Sequence, residues 1–265
     1  MARAILKYPG AKWRMADWII SLMPPHKSYL EPFFGSGAVF FCKPPSRIET
    51  INDLDGDIIN LFRVMRVMPE ELARAVALTP YSRAEYMQAW EQRQEASDPV
   101  ERARVTLIRY WQAVGSRQIY RAGWRRDVAG REAAYTLRNW VQLPERIALA
   151  ADRLKDAQIE QTPALELIPK FSSPDVLIYA DPPYLIETRT QKQYNTEMPT
   201  KAQHMELLET LKKHPGPVIL SGYDSPLYND LLNGWVRLQQ PSTAEGGAQR
   251  TEMVWLNYEP QITLI

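Results

Sequence analysis

The sequence predicts an α/β fold in which a mostly parallel sheet is closed by antiparallel C-terminal strands and interrupted by a helical insert. Short apolar runs alternate with stretches of helical periodicity, as when strands are joined by crossover helices. Near the C-terminus two β-rich runs follow one another with no room for a long helix between them. From about residue 80 to residue 155 the alternation stops and helical periodicity alone remains.

In chain order, strands are expected over residues 28–33, 48–53, 158–161, 176–181 and 218–221, each running into a turn or a helix start. Helices are expected over residues 13–22, 58–65, 84–95, 102–114, 143–154 and 205–212, with a further helix starting near Ala38. Residues 235–239 and 252–258 form the antiparallel pair at one edge. The sequence holds no internal repeat and no low-complexity tract.

Composition excludes several classes. Hydrophobic residues make up 45% of the 265 and charged residues 24%, ordinary for a globular chain with a real core. No apolar run approaches the length that crosses a bilayer, so no membrane association is expected. The start of the chain lacks the apolar stretch of a signal peptide. Cys42 is the single cysteine, which rules out an internal disulfide and a cysteine-based zinc cluster. Three scattered histidines argue against a transition-metal site. A cytoplasmic protein with a reduced thiol fits these features.

Charge is uneven. Between Glu101 and Trp140 stand nine arginines, no lysine and three acids, a local charge of +6 in a chain whose total is +1. Arg117, Arg121, Arg125 and Arg126 lie at its centre, with Tyr110, Trp111, Tyr120, Trp124 and Tyr135 interleaved. Arginine reads phosphate and guanine edges in bidentate fashion, and aromatic rings stack on bases. A nucleic-acid face that includes Trp124 is therefore expected here, against the alternative of a solvated helical surface.

Two constellations carry chemistry. In Leu30-Glu31-Pro32-Phe33-Phe34-Gly35-Ser36-Gly37 a strand enters a tight glycine turn and then a helix. Glycine there lets backbone approach a ligand closely. About 20 residues on, Asn52-Asp53 ends the next strand, where an acid can accept hydrogen bonds from both hydroxyls of a ribose. Phe40 stands where a third glycine would complete GxGxxG, and there is no GK[ST] ending, so a nicotinamide or flavin dinucleotide is disfavoured and a P-loop excluded.

Asp181-Pro182-Pro183-Tyr184 follows an apolar strand at the carboxyl edge, where open α/β sheets bind ligands. An aromatic exocyclic amine is a poor nucleophile because its lone pair is delocalised into the ring. The Asp181 carboxylate and the Pro182 carbonyl, each accepting one N–H, can draw the nitrogen toward tetrahedral geometry and free that lone pair. Proline adds no competing donor, and Tyr184 is placed to stack on a base flipped out of its helix.

Other residues read as bland. His204 is expected at a helix start or facing solvent, and His26 and His214 on the surface. Residues 186–198, with Arg189, Lys192 and Tyr194, read either as a mobile loop or as a lid over the flipped base. Gly246-Gly247 and Arg250 are explained by a hairpin turn.

The chain resembles the Dam-like (D12 class) adenine-N6 DNA methyltransferases, particularly their short phage and prophage forms. The matching residues are Lys7-Tyr8-Pro9-Gly10-Ala11-Lys12, Glu31–Gly37, Asn52-Asp53, Asp181–Tyr184 and Ser221-Gly222-Tyr223, in the family's order and spread over residues 5–75 and 140–258. The chain departs at Ala11, where the family often has a second glycine. The resemblance implies a Rossmann-like class I S-adenosylmethionine-dependent methyltransferase sheet, formed by residues 1–78 and 156–265. It implies a helical target-recognition subdomain over residues 79–155. Carried over by position, Tyr8, Lys12, Phe33, Gly35, Gly37, Asp53 and Asp181 would contact the cofactor, with Lys12 near its methionine carboxylate. Asp181 and Pro182 would be catalytic and Tyr184 the stacking partner.

The expected activity is site-specific transfer of a methyl group from S-adenosylmethionine to adenine N6 in double-stranded DNA, by a monomer with no obligate protein partner. N4-cytosine methylation uses the same amine chemistry, but that family usually carries Ser before its Pro-Pro-Tyr. Methylation of RNA or of a protein amide, and a non-catalytic module that keeps the fold, are the remaining alternatives.

Overall fold

The computed structural model describes residues 4–115, 120–126, 128, 135–188, 197–243 and 249–261. The chain divides into two compact units. One is built from Met1–Ala11 and Asp55–Asp156, the other from Lys12–Leu54, Ala157–Lys192 and Thr196–Ile265.

The second unit holds a seven-stranded sheet of β1 (Ser28–Glu31), β2 (Ile48–Asn52), β3 (Ala157–Glu160), β4 (Val176–Ala180), β5 (Val218–Gly222), β6 (Val236–Thr243) and β7 (Gln249–Leu256), in the order β3-β2-β1-β4-β5-β7-β6. The first five strands pair in parallel. β7 runs antiparallel between β5 and β6, so the α/β sheet with an antiparallel C-terminal strand is present as the sequence predicts. β4 and β5 are buried at every position, as strands covered on both faces must be. The edge strand β3 alternates toward solvent after Ala157.

β1 lies between β2 and β4. The chain leaves β1 for one side of the sheet, and β4 occupies the other. That is the topological switch point, where a crevice opens beyond the carboxyl ends of the strands. Helices α1 (Ala16–Ser21) and α2 (Ala38–Cys42) belong to this unit.

The first unit is helical: α3 (Gly56–Val67), α4 (Pro69–Ala77), α5 (Arg83–Glu91), α6 (Pro99–Trp111), α7 (Tyr135–Val141) and α8 (Leu143–Leu154). Their starts are written in the sequence. The Asp55, Ser82 and Asp98 side chains accept from the backbone N–H of Asp57, Glu85 and Glu101, and Pro69 and Pro99 sit in first turns where their missing N–H costs nothing. α3 packs on α6 and α8, and α4 on α8. α4 and α7 were not expected from periodicity.

Three helices complete the sheet unit: α9 (Ala164–Leu167), α10 (Lys201–Lys212) and α11 (Pro226–Leu231). α10 begins four residues before the expected 205, because Thr200 and Gln203 form a capping box. His204 therefore lies inside the helix and is fully buried. Its Nδ1 is 2.8 Å from the Tyr228 hydroxyl and its Nε2 3.0 Å from the Met198 carbonyl. His214 is also buried, with Nε2 2.9 Å from the Val176 carbonyl. Neither is the solvent-facing residue its polarity suggests: neighbouring segments supply partners for both ring nitrogens of His204 and for Nε2 of His214. Among the described residues no helix is long and apolar enough to cross a membrane, and no group of histidines, cysteines and acids could hold a metal.

Candidate active site

β1 and β4 are parallel neighbours, so the segments that follow them emerge at the same edge. After β1 comes the glycine turn. Gly35 and Gly37 both adopt the left-handed region, at φ 50° and 65°. A Cβ on Gly37 would fall 2.3 Å from the Phe34 ring, so the turn itself excludes a side chain there. The Phe34 N–H donates to the Asn52 carbonyl at 2.9 Å. The Asn52 amide donates to the Pro32 carbonyl at 2.9 Å, and its oxygen accepts from the Thr162 N–H at 2.8 Å. One buried amide thus ties together the chain ends after β1, β2 and β3.

β2 ends at Asn52, one residue short of the expected strand. Asp53 lies just beyond it and accepts from the Gly35 N–H at 2.8 Å, which sets its carboxylate against the turn. Phe33 is partly buried and packs on the core cluster around Leu30, Ile178 and Ala180.

Asp181 follows β4 directly and lies in a cluster of four polar side chains. The Lys12 ammonium donates to Asp181 Oδ2 at 2.9 Å and lies 4.0 Å from Glu252 Oε2. The Tyr184 hydroxyl is 3.1 Å from Asp181 Oδ1 and 2.8 Å from Glu252 Oε2. Lys12 also sits 4.9 Å from the centre of the Tyr184 ring, and Tyr223 packs against that ring edge-on at 4.6 Å. The Lys12 side chain is 6% exposed and that of Asp181 19%. Burial, then the Asp181 and Glu252 charges, pushes the Tyr184 phenol well above its ordinary range. Tyr179 is raised in the same way by burial and by Asp181. Glu31 at the end of β1 is buried, accepts from the Tyr29 hydroxyl at 2.7 Å, and has its pKa raised by burial to about 8.

Lys12, Gly35, Gly37, Asp53, Asp181, Pro182 and Tyr184 are thus gathered at the carboxyl edge of one sheet. Tyr8 belongs to the helical unit, where it stacks on Tyr110 at 5.7 Å between ring centres. Glu252 was missed by sequence reasoning. Its signal was an acid opening the apolar run Met253–Leu256, on a strand paired with β5.

The arginine-rich segment divides. Arg102 and Arg109 pair with Asp57, and Arg104 with Glu85 and Glu101. Arg109 is buried. These three serve packing of α6, so the formal charge of the window is partly neutralised within the helical unit. Residues 112–115 and 122–125 run antiparallel, with the Val114 N–H donating to the Gly123 carbonyl and the Arg125 N–H to the Gln112 carbonyl, both at 2.8 Å. The Tyr81 and Tyr86 hydroxyls donate to the Arg125 and Ala122 carbonyls. Trp124 is half-buried and donates to Gln112, with the Tyr81 ring centre 5.6 Å and the Arg83 guanidinium carbon 5.3 Å from its own ring centre. Arg121 and Arg126 are exposed and Arg125 half-buried. Arg117, Arg189, Lys192, Tyr194, Gly246 and Gly247 lie outside the described residues.

Comparison with known proteins follows the same lines. A family model described as D12 class N6 adenine-specific DNA methyltransferase matches residues 8–245. The DNA adenine methylase of Salmonella typhimurium is 25% identical over 268 residues, covering 95% of this chain and 92% of that protein. The DNA adenine methylase of Escherichia coli K12 is 26% identical over 262 residues, covering 94% and 92%. The Type II methyltransferase M1.LlaDCHI of Lactococcus lactis subsp. cremoris is 27% identical over 277 residues, covering 97% and 95%.

Proposed function

The chain belongs to the D12 class of N6 adenine-specific DNA methyltransferases, and on that premise we propose that it transfers a methyl group from S-adenosylmethionine to N6 of an adenine flipped out of duplex DNA, at specific sites. The observation that carries this reading is the position of Asp181. It leaves β4 at the edge where the Gly35–Gly37 turn leaves the neighbouring β1.

The residues present fit the cofactor. Left-handed backbone at Gly35 and Gly37 gives a turn that a ligand can approach closely. A carboxylate held over that turn, Asp53, suits a ribose diol. A buried ammonium, Lys12, suits the methionine carboxylate. With Tyr8, Phe33 and Asp181, these are the residues assigned to hold S-adenosylmethionine, which when bound supplies an electrophilic methyl on its sulfonium.

This chain's own groups do the rest. Asp181 Oδ1 and the Pro182 carbonyl accept hydrogen bonds from the two N–H groups of the exocyclic amine and localise its lone pair, and one of those protons leaves to solvent once the nitrogen has gained the methyl group. Tyr184 and its neighbour Tyr223 supply aromatic surface beside the base. Catalysis comes mainly from placing the nitrogen in line with the methyl group, and from acceptors fixed before the reaction begins. Residues 79–155 are assigned to target recognition, with Arg121, Trp124, Arg125 and Arg126, and Arg117 of the same segment, on the DNA side. The enzyme is assigned as a cytoplasmic monomer.

Sequencing with base-modification detection, on DNA from a methylation-deficient host expressing the protein, tests the reading. N6-methyladenine in a short recurrent motif is expected, and none from Asp181→Ala. No modified adenine from a folded wild-type protein would overturn it.

A further inference from the structure

Glu252 is a buried acid at the candidate active site, on a strand that contributes none of the residues the sequence singles out there. It faces Tyr184, whose hydroxyl carries one proton and lies near two carboxylates. The oxygen is 2.8 Å from Glu252 and 3.1 Å from Asp181. A phenol donates only one hydrogen bond, and the shorter distance is nearer the optimum for O–H···O. We propose that Glu252 is a positioning residue for methyl transfer: it accepts the one hydrogen bond that the Tyr184 hydroxyl can donate and so leaves Asp181 Oδ1 open to accept from the substrate amine. The inference rests on the assignment of Asp181 as the amine's acceptor.

Two further features support it. Burial beside both carboxylates keeps the phenol protonated, so Tyr184 remains a donor and can direct its hydrogen bond to only one of them. Lys12 lies 2.9 Å from Asp181 Oδ2 and 4.0 Å from Glu252. Asp181 therefore already has one oxygen bound to an ammonium. A tyrosine proton on its second oxygen would weaken the acceptor that the amine needs. With Glu252 neutralised, the charged Asp181 becomes the stronger acceptor for Tyr184.

Methylation of unmethylated plasmid DNA by the purified full chain, at saturating S-adenosylmethionine and DNA, tests this. Glu252→Gln should lower kcat about tenfold and leave KM for both substrates within about twofold. In a Tyr184→Phe background the same substitution should change kcat less than about twofold, because no hydroxyl proton remains to be misdirected. Glu252→Met, which removes the acceptor altogether, should show the same dependence on Tyr184. Thermal unfolding of each variant establishes that it is folded. An equal loss in both backgrounds would make Glu252 a mere counter-charge for Lys12 and overturn the proposal, as would a change confined to KM. An inactive wild type would instead overturn the function itself, which Asp181→Ala monitors in the same assay.

Discussion

The sheet unit buries two lysine–carboxylate pairs at opposite ends of its parallel strands, Lys43–Glu49 where they begin and Lys12–Asp181 where they end. The Lys43 ammonium donates to Glu49 at 2.5 Å and to the Pro44 carbonyl and the Ser46 hydroxyl at 2.8 Å, which uses all three of its protons. It also lies 4.5 Å from the centre of the Tyr29 ring. The Ser46 N–H donates to the same Glu49 oxygen, and the two side chains are only 2% and 3% exposed. Lys12–Asp181 has similar chemistry, but Asp181 is 19% exposed and shares its neighbours with Glu252 and Tyr184. A pair closed on itself fixes the fold. A pair with an acceptor still reachable from outside can do chemistry.

The largest expected effect breaks the open pair. Asp181→Ala should reduce methyl transfer by about a thousandfold or more, measured on unmethylated DNA, while calorimetry still detects S-adenosylmethionine binding and urea unfolding shows a modest change. Unfolding in step with the loss of activity would mean that the open pair is structural as well.

The closed pair should respond in the opposite way. Lys43→Met leaves Glu49 buried without its counter-ion, a class of change that costs about 3–5 kcal/mol. Urea unfolding should show that loss, and activity per folded molecule should be retained. Stability within about 1 kcal/mol of wild type would mean that Glu49 is relieved by water, and the contrast between the two pairs would fail.

Glu31 sharpens the comparison as a buried carboxyl with no ion pair among the described residues. Burial raises it to about 8, above its value in an unfolded chain. Below the unfolded value both states hold the proton, and the folded state carries no penalty. As pH rises from about 4.5 to 8, the unfolded chain releases its proton while the folded one keeps it, so stability falls. Glu31→Gln keeps an acceptor for Tyr29 and removes that dependence. The variant should match wild type near pH 4.5 and be more stable at pH 8, by on the order of a few kcal/mol, in thermal unfolding followed across pH. Parallel curves would show that Glu31 is ionised throughout.

How far the sequence could be read follows the same division between local and distant. The strands, the turn at Gly35–Gly37 and the acids Asp53 and Asp181 were legible because each is set by residues next to it: an apolar run, a glycine, a proline pair. Element ends shifted by a few residues wherever a cap decided them, as Thr200 and Gln203 did for α10. Glu252 was not legible because its meaning lies in Tyr184, which the chain reaches only by folding β7 against β5. His204 and His214 read as surface residues for the same reason, since their partners are Tyr228, Met198 and Val176. Charge was over-read in the arginine segment, because a count cannot tell an arginine closed on Asp57 from one facing solvent.

That last distinction gives the smallest expected effect, because the helical unit repeats the contrast between closed and open charges. Arg109 is buried against Asp57 and Arg102 shares that acid, whereas Arg121 and Arg126 are exposed on the segment tied down by Tyr81 and Tyr86. An exposed arginine that meets phosphate displaces about one counter-ion. Losing two should therefore flatten the dependence of log affinity on log salt by about 2. Arg121→Ala with Arg126→Ala, titrated against duplex DNA from 50 to 200 mM salt (about the range where such slopes are read), should show that change at nearly unaltered stability. Arg109→Met should leave the slope alone and lower the unfolding midpoint, because it strips Asp57 of a buried partner. If the double variant kept the wild-type slope, phosphate contact would have to come from elsewhere in the chain, and the open arginines of this unit would be no more than a solvated face.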